Sequence, residues 1–276
     1  MATFLFLHGS FHAAWNWHKV LPILNAAGHK GISLDMPGHG QDTTSFRGVS
    51  LSSCVRKVTQ CVDELEEKVI LVGHSRNGIV ISQAAEARPE KVCGLVYLAA
   101  YLVPHGATMM EYAIQDKESL VFQNVAPTMD TNMLLLLIRL FRHSIFRKLG
   151  SVMLSKRMQT HVLRQHIYKE ALYHDCVDEI TDLANVLLEA ESNWSGFTPL
   201  KLTKEKYHQV PKVYIECSQD RAVTPYIQKR MCNDTPCDKI YSLDSGHSPF
   251  FSMPDVLVTT LLDSYHFFNR TNAEVA

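Results

Sequence analysis

Over its first hundred residues the chain alternates short, continuously apolar runs with stretches whose apolar residues recur every three or four positions. Phe4–His8, Val69–Gly73 and Gly94–Ala99 are runs of the first kind, and His29–Asp35 is a further strand. Continuous apolar runs place apolar side chains on both faces of a strand, the mark of a parallel sheet covered on both sides. Between the runs, Trp17, Val20, Leu21 and Leu24 keep a helical spacing that stops at Gly28. Leu51, Val55, Val58, Val62 and Leu65 form a second helical stripe, and a third helix follows Gly78 and ends before Pro89.

The alternation breaks at about Pro104 and stays broken to His208. Helices are predicted at Met133–Arg142, Met158–Tyr168 and Val177–Leu188, with no further strand of the buried kind. It resumes with a strand at Lys212–Cys217, a helix near Pro225–Met231, a strand at Lys239–Leu243 and a last helix carrying Val258, Leu261, Leu262 and Tyr265 in phase. The expected architecture is α/β: a doubly wound, mostly parallel sheet of about six strands with a helical cap inserted in the middle. One domain is expected over 1–276, with its core in 1–103 and 209–276 and the cap in 104–208.

Composition narrows the partners. Lys+Arg is 27 and Asp+Glu is 28 in 276 residues, so no bulk charge draws the chain to nucleic acid. The seven cysteines form no C-x-x-C pair, which argues against a disulfide framework or a zinc site and for a reducing compartment, the cytoplasm. No metal or cofactor is expected. The N-terminal run reads as a first strand rather than a signal peptide, having no basic region before it. Leu134–Lys148 is both apolar and basic. Such a segment can meet a membrane surface, but packing over the active site or against a dimer partner is the more ordinary reading.

The chemistry centres on Gly73-His74-Ser75-Arg76-Asn77-Gly78, between the strand Val69–Gly73 and a helix. A serine at the tip of a strand–turn–helix elbow has its hydroxyl lifted clear of the sheet, where a base can reach it. The backbone N–H of Arg76 then lies at a helix N-terminus, placed to stabilise developing negative charge. Asn77 stands where the G-x-S-x-G pattern has its second glycine, which here is displaced to Gly78. The Arg76 side chain could pair with a substrate carboxylate, but a structural ion pair is the preferred reading.

Two partners follow in the chain order serine, acid, histidine. Asp220 lies just past Lys212–Cys217 and His247 just past Lys239–Leu243, both at carboxyl ends of strands, where open α/β sheets bind ligands. His247 can take the serine proton and Asp220 can orient the ring. Asp244 is a rival acid, but three residues from His247 it is badly placed to orient that ring. Ser10, after the first strand, is the candidate for a second backbone oxyanion donor, and His8 is expected to brace that loop. Phe11, His12, Tyr101 and Trp194 are candidates for substrate contact. Tyr112, Phe122 and Phe197 join Trp194 as cap aromatics that line a pocket or fill the core.

With these residues together, the chain resembles the α/β-hydrolase fold family, and within it the branch of plant methylesterases, hydroxynitrile lyases and related small bacterial esterases. The resemblance is carried by His8-Gly9-Ser10-Phe11-His12-Ala13-Ala14-Trp15-Asn16-Trp17, Ala26-Ala27-Gly28-His29-Lys30, Gly73-His74-Ser75, Tyr214–Asp220 and Gly246-His247. It implies a Ser75–His247–Asp220 triad, oxyanion donors at Ser10 and Arg76, a small carboxylic ester as substrate (methyl or other), an acyl-enzyme, and a homodimer. Lyases of this branch carry a threonine beside the first-strand histidine and a lysine after the catalytic histidine. Gly9 and Ser248 occupy those places here, which favours ester hydrolysis over the alternatives of a lyase, an acyltransferase or a non-catalytic ligand binder.

Overall fold

The computed structural model describes residues 1–126, 131–153 and 159–275. Six parallel strands form the central sheet: β1 (Thr3–Leu7), β2 (Lys30–Leu34), β3 (Val69–His74), β4 (Val92–Leu98), β8 (Lys212–Cys217) and β9 (Lys239–Leu243). Their order is β2-β1-β3-β4-β8-β9, and every pairing is parallel. Helices α1 (Val20–Ala26), α2 (Leu51–Asp63) and α3 (Gly78–Ala87) make the first three crossovers.

The period-two geometry of a strand divides the core into two. Leu5, Leu7, Val69, Leu71, Leu95 and Tyr97 point to one face, where they meet α2 and α3 residues such as Val58 and Ile79. Phe4, Phe6, Ile70, Val72, Val96 and Leu98 point to the other, toward Val20 and Leu24 of α1 and Leu261 and Phe268 of the C-terminal helix Pro254–Val275. This is why β1, β3 and β4 read as nearly uninterrupted apolar runs: both of their faces are buried.

Between β4 and β8 the chain makes α4 (Met109–Ala113), α5 (Leu120–Asn124), α6 (Thr131–Phe141) and α7 (Ser144–Met153), and then further short helices. This region departs from the sequence expectation in one respect. Thr160–Leu163, expected within a helix, is strand β6, pairing antiparallel with β5 (Val125–Ala126) and β7 (Glu191–Ser192). A four-residue strand whose partners are two residues long leaves too short a pattern to separate from a helix. Met158, where that helix was to start, lies outside the described residues. Among the described residues, no helix is long and apolar enough to cross a membrane.

Candidate active site

Ser75 follows the last residue of β3 and takes φ 54°, in the left-handed region. That conformation is unfavourable for a residue with a Cβ and concentrates at functional turns. Phe11 (φ 68°) and Ala99 (φ 43°) do the same just past β1 and β4, so the positive-φ non-glycine residues among those described all lie at strand exits. The elbow is held from both sides. The Ser75 carbonyl accepts a 2.9 Å hydrogen bond from the Tyr101 N–H. The Asn77 side-chain amide donates to the His8 carbonyl, linking the elbow to the loop after β1. The close approach that requires a glycine falls at Gly78, where a Cβ would sit 2.5 Å from the Tyr101 carbonyl oxygen. Asn77, with φ −75°, needs no glycine and uses its side chain instead.

His247 Nδ1–H donates to Asp220 Oδ2 at 2.7 Å, and both residues are buried. With the proton on Nδ1, Nε2 is left as the basic nitrogen. The other carboxylate oxygen of Asp220 accepts the N–H groups of Ala222 and Val223 at 2.7 and 3.0 Å. Asp244 instead accepts from Ser218 Oγ and Gln219 Nε2 at an exposed position. A third histidine, His74, donates from Nε2 to the His247 carbonyl at 3.0 Å and so fixes the backbone of the loop. Burial first, then the neighbouring His247 and His12, hold His74 well below the usual histidine range, so it stays neutral.

The loop after β1 is braced by two histidines. His8 donates from Nδ1 to the Gly9 carbonyl at 2.8 Å and accepts the Met36 N–H on Nε2 at 3.0 Å. His12 donates from Nδ1 to the Ser10 carbonyl at 2.8 Å and accepts from the Tyr173 hydroxyl at 2.6 Å. Burial pushes the His12 imidazole down to about 4. At Gly9 a Cβ would meet His74 Nδ1 at 2.6 Å and Ser75 Cβ at 2.9 Å, so only glycine lets this loop lie against the elbow.

Ser75 and His247 open onto one cavity of about 150 Å³, with Ser10, Phe11, Arg76 and Tyr101 also in its wall. The rest of the lining is mostly apolar and includes Met109, Phe122, Val125 and Phe197 from the segment between β4 and β8. Of the residues expected to contact substrate, His12 and Trp194 are elsewhere. His12 is packed under the loop among Trp15, His74, Tyr173 and Phe250. Trp194 joins Phe141, Phe197, Ile114 and Ile138 in a satellite cluster, its indole N–H donating to Gln159. Tyr112 also lies off the cavity, donating its hydroxyl to Asp234 at 2.9 Å.

Several residues of this region escape sequence reasoning. Glu191 of β7 is buried and pairs with the Arg76 guanidinium, which also donates to Ser195 Oγ. Burial would raise the Glu191 carboxyl, but Arg76, His39 and His161 outweigh it and bring it down to about 2. The Arg76 charge is thus neutralised inside the protein, as the structural reading expected. Asp116 is a second buried acid beside the Asp220 loop, accepting from the Thr224 N–H and hydroxyl at 2.9 and 2.6 Å. Neither acid sits in a local motif; their only signal is a three-dimensional proximity that the chain order hides. Among the described residues no group of three or more His, Cys, Asp or Glu converges as metal ligands would.

Residues 4–260 match the model of the alpha/beta hydrolase family. The chain is 30% identical to methylesterase 10 of Arabidopsis thaliana over 261 residues, covering 92% of this chain and 88% of that protein. It is 29% identical over 266 residues to a longer chloroplastic relative from the same plant, methylesterase 11. That alignment takes in 94% of this chain but only 63% of the relative's length. The crystal structure of the Arabidopsis methylesterase MES16 superposes with a TM-score of 0.75 at 25% identity, over 97% of this chain and all (100%) of that one. The chain therefore belongs to the alpha/beta hydrolase family, on the branch that holds the plant methylesterases.

Proposed function

We propose that the protein cleaves small carboxylic esters through an acyl-enzyme on Ser75. The observation that carries this reading is the buried Asp220–His247 hydrogen bond opening onto the same cavity as a serine in a left-handed elbow. Ser75 Oγ attacks the ester carbonyl as His247 Nε2 takes its proton. The tetrahedral oxyanion is held by the N–H groups of Ser10 and Arg76, the latter at the mouth of α3, where helix N–H groups lack intrahelical partners. His247 then returns the proton to the departing alcohol, and water attacks the acyl group by the same route in reverse. Asp220 keeps the imidazole in the tautomer that leaves Nε2 free.

The cavity volume bounds the substrate. A cavity of about 150 Å³ holds a group of roughly benzene size. A methyl or other short alkyl ester fits, and the apolar lining favours an uncharged acyl group. The Glu191 pairing withdraws the Arg76 charge from any role in binding a free carboxylate. Ser248 is buried and uncharged, which supports hydrolysis over a lyase. Seven free cysteines support a reducing location such as the cytoplasm.

Intact-mass measurement after a fluorophosphonate probe tests the nucleophile. One adduct on the wild type and none on Ser75→Ala is expected. Asp220→Asn should keep the fold and lower kcat about 10⁴-fold on a short-chain ester. An adduct that persists in Ser75→Ala would overturn the assignment.

A further inference from the structure

The hairpin of α6 and α7 exposes far more apolar surface than an ordinary surface helix pair. On α7, Ile145, Leu149 and Val152 follow one helical stripe, and that stripe faces solvent, with Val152 74% exposed. The opposite side of α7 carries Gly150, whose Cα packs against Trp194. On α6, Ile138 and Phe141 turn inward to the Trp194 cluster while Leu136 and Leu140 are exposed. Nine of the sixteen exposed large apolar side chains among the described residues lie on these two helices. Concentration of that kind marks an interaction surface.

The same hairpin is basic. Residues 131–153 contain Arg139, Arg142, Arg147 and Lys148 and no Asp or Glu. Beside it is a groove of about 940 Å³ whose wall includes Arg47, Arg56, Arg142, Arg147, Lys148 and Lys201 and, among the described residues, no acid. Arg142 is partly spent on Glu111, but the groove keeps a clear excess of positive charge.

We infer that the α6–α7 hairpin docks this protein on an anionic lipid surface, lying in the interface rather than crossing it. An apolar stripe flanked by arginine and lysine is what such a surface selects: the stripe enters the acyl boundary and the cations meet the headgroups. Charge complementarity decides the occupant. A second copy placed on this face would bring two basic hairpins together, which like-charge repulsion opposes. Helix α6 also reaches the cavity wall, since Phe141 packs edge-on against Phe197 at 5.6 Å and Phe197 lines the cavity. The docked face therefore adjoins the site. The docking itself does not depend on the ester-cleaving reading.

The test is co-sedimentation of the purified full chain with phosphatidylcholine vesicles, with and without about one-third phosphatidylserine. Binding to the anionic vesicles alone is expected, weakening as salt is raised. The double variant Ile145→Ser/Leu149→Ser should bind roughly tenfold less or weaker still. Arg139→Gln/Arg47→Gln should also bind less, and this pair of exposed polar changes decides the matter should the apolar variant misfold. Turnover of a soluble short-chain ester without vesicles should be unchanged in both. Wild type left in the supernatant with both vesicle types overturns the inference. So does a dimer in sedimentation equilibrium that the Ile145→Ser/Leu149→Ser change splits while vesicle binding is absent.

Discussion

His12 and Glu191 together make the acid limb of stability a two-step curve. His12 is buried neutral, and its value falls from an ordinary 6.5 to about 4. Between those values the unfolded chain binds a proton that the folded chain refuses, so stability drops as pH falls through this window. The loss is about 3 kcal/mol by pH 4. Glu191 is shifted from 4.5 to about 2, so its ion pair with Arg76 contributes fully above pH 4.5 and is lost as pH falls toward 2. Urea unfolding across pH should show both limbs. His12→Gln is expected to flatten the upper limb without abolishing it, because His8 and His74 are also held low by burial. Glu191→Gln should flatten the lower limb and cost about 3 kcal/mol at pH 7, since it leaves the Arg76 cation buried without its partner. An unchanged urea midpoint for Glu191→Gln at pH 7 would refute that role. At this scale the sequence was uneven. Ser75, Asp220 and His247 could be nominated because each lies just past a recognisable strand. Glu191 could not, because what makes it matter is a contact with a residue more than a hundred positions away.

At the scale of the element, the elbow shows why a motif letter and a packing requirement need not coincide. The motif asks for glycine at position 77, whereas the tight contact in this chain is at Gly78, beneath the Tyr101 carbonyl. Gly78→Ala is therefore expected to lose about 1–3 kcal/mol, read by thermal melting, because the obstacle is backbone and cannot swing away. Asn77→Gly restores the motif but removes the tether to His8. It should lower stability by about 1 kcal/mol rather than raise it, and a higher melting temperature would contradict the tether. The inner strands β1, β3 and β4 were legible for the reason that made them strands: they are apolar on both faces, whereas the edge strands β2 and β9 mix polar and apolar residues and are partly exposed. Strand β6 was not, since Thr160–Leu163 is half-exposed and pairs over two positions at a time. Its extended state is imposed by β5 and β7, which are too short to register in sequence.

On the scale of the whole molecule, the cavity is closed by two parts of the chain that share little sequence logic. The strand ends supply Ser10, Ser75 and His247, and the segment between β4 and β8 supplies most of the apolar wall. Within that segment Trp194 packs against Phe141, which in turn meets Phe197 of the cavity wall, and Trp194 does not reach the cavity itself. Trp194→Ala should accordingly cost about 3–5 kcal/mol in denaturant unfolding. Trp194→Phe should leave KM for a short ester unchanged. A raised KM in Trp194→Phe with an intact melt would return this residue to the substrate-binding set.

The three left-handed residues at the exits of β1, β3 and β4 tie heat tolerance to turnover. Each holds a Cβ in a conformation that costs of order 1 kcal/mol and that glycine adopts freely. Ala99→Gly should raise the melting temperature with little effect on rate. Ser75→Gly should raise it as well and leave an inert protein, and Phe11→Gly should trade the gain for a lost wall of the cavity. Selection for thermal endurance and selection for speed would meet at the same few positions, and Ala99 is the one of the three where both can be satisfied.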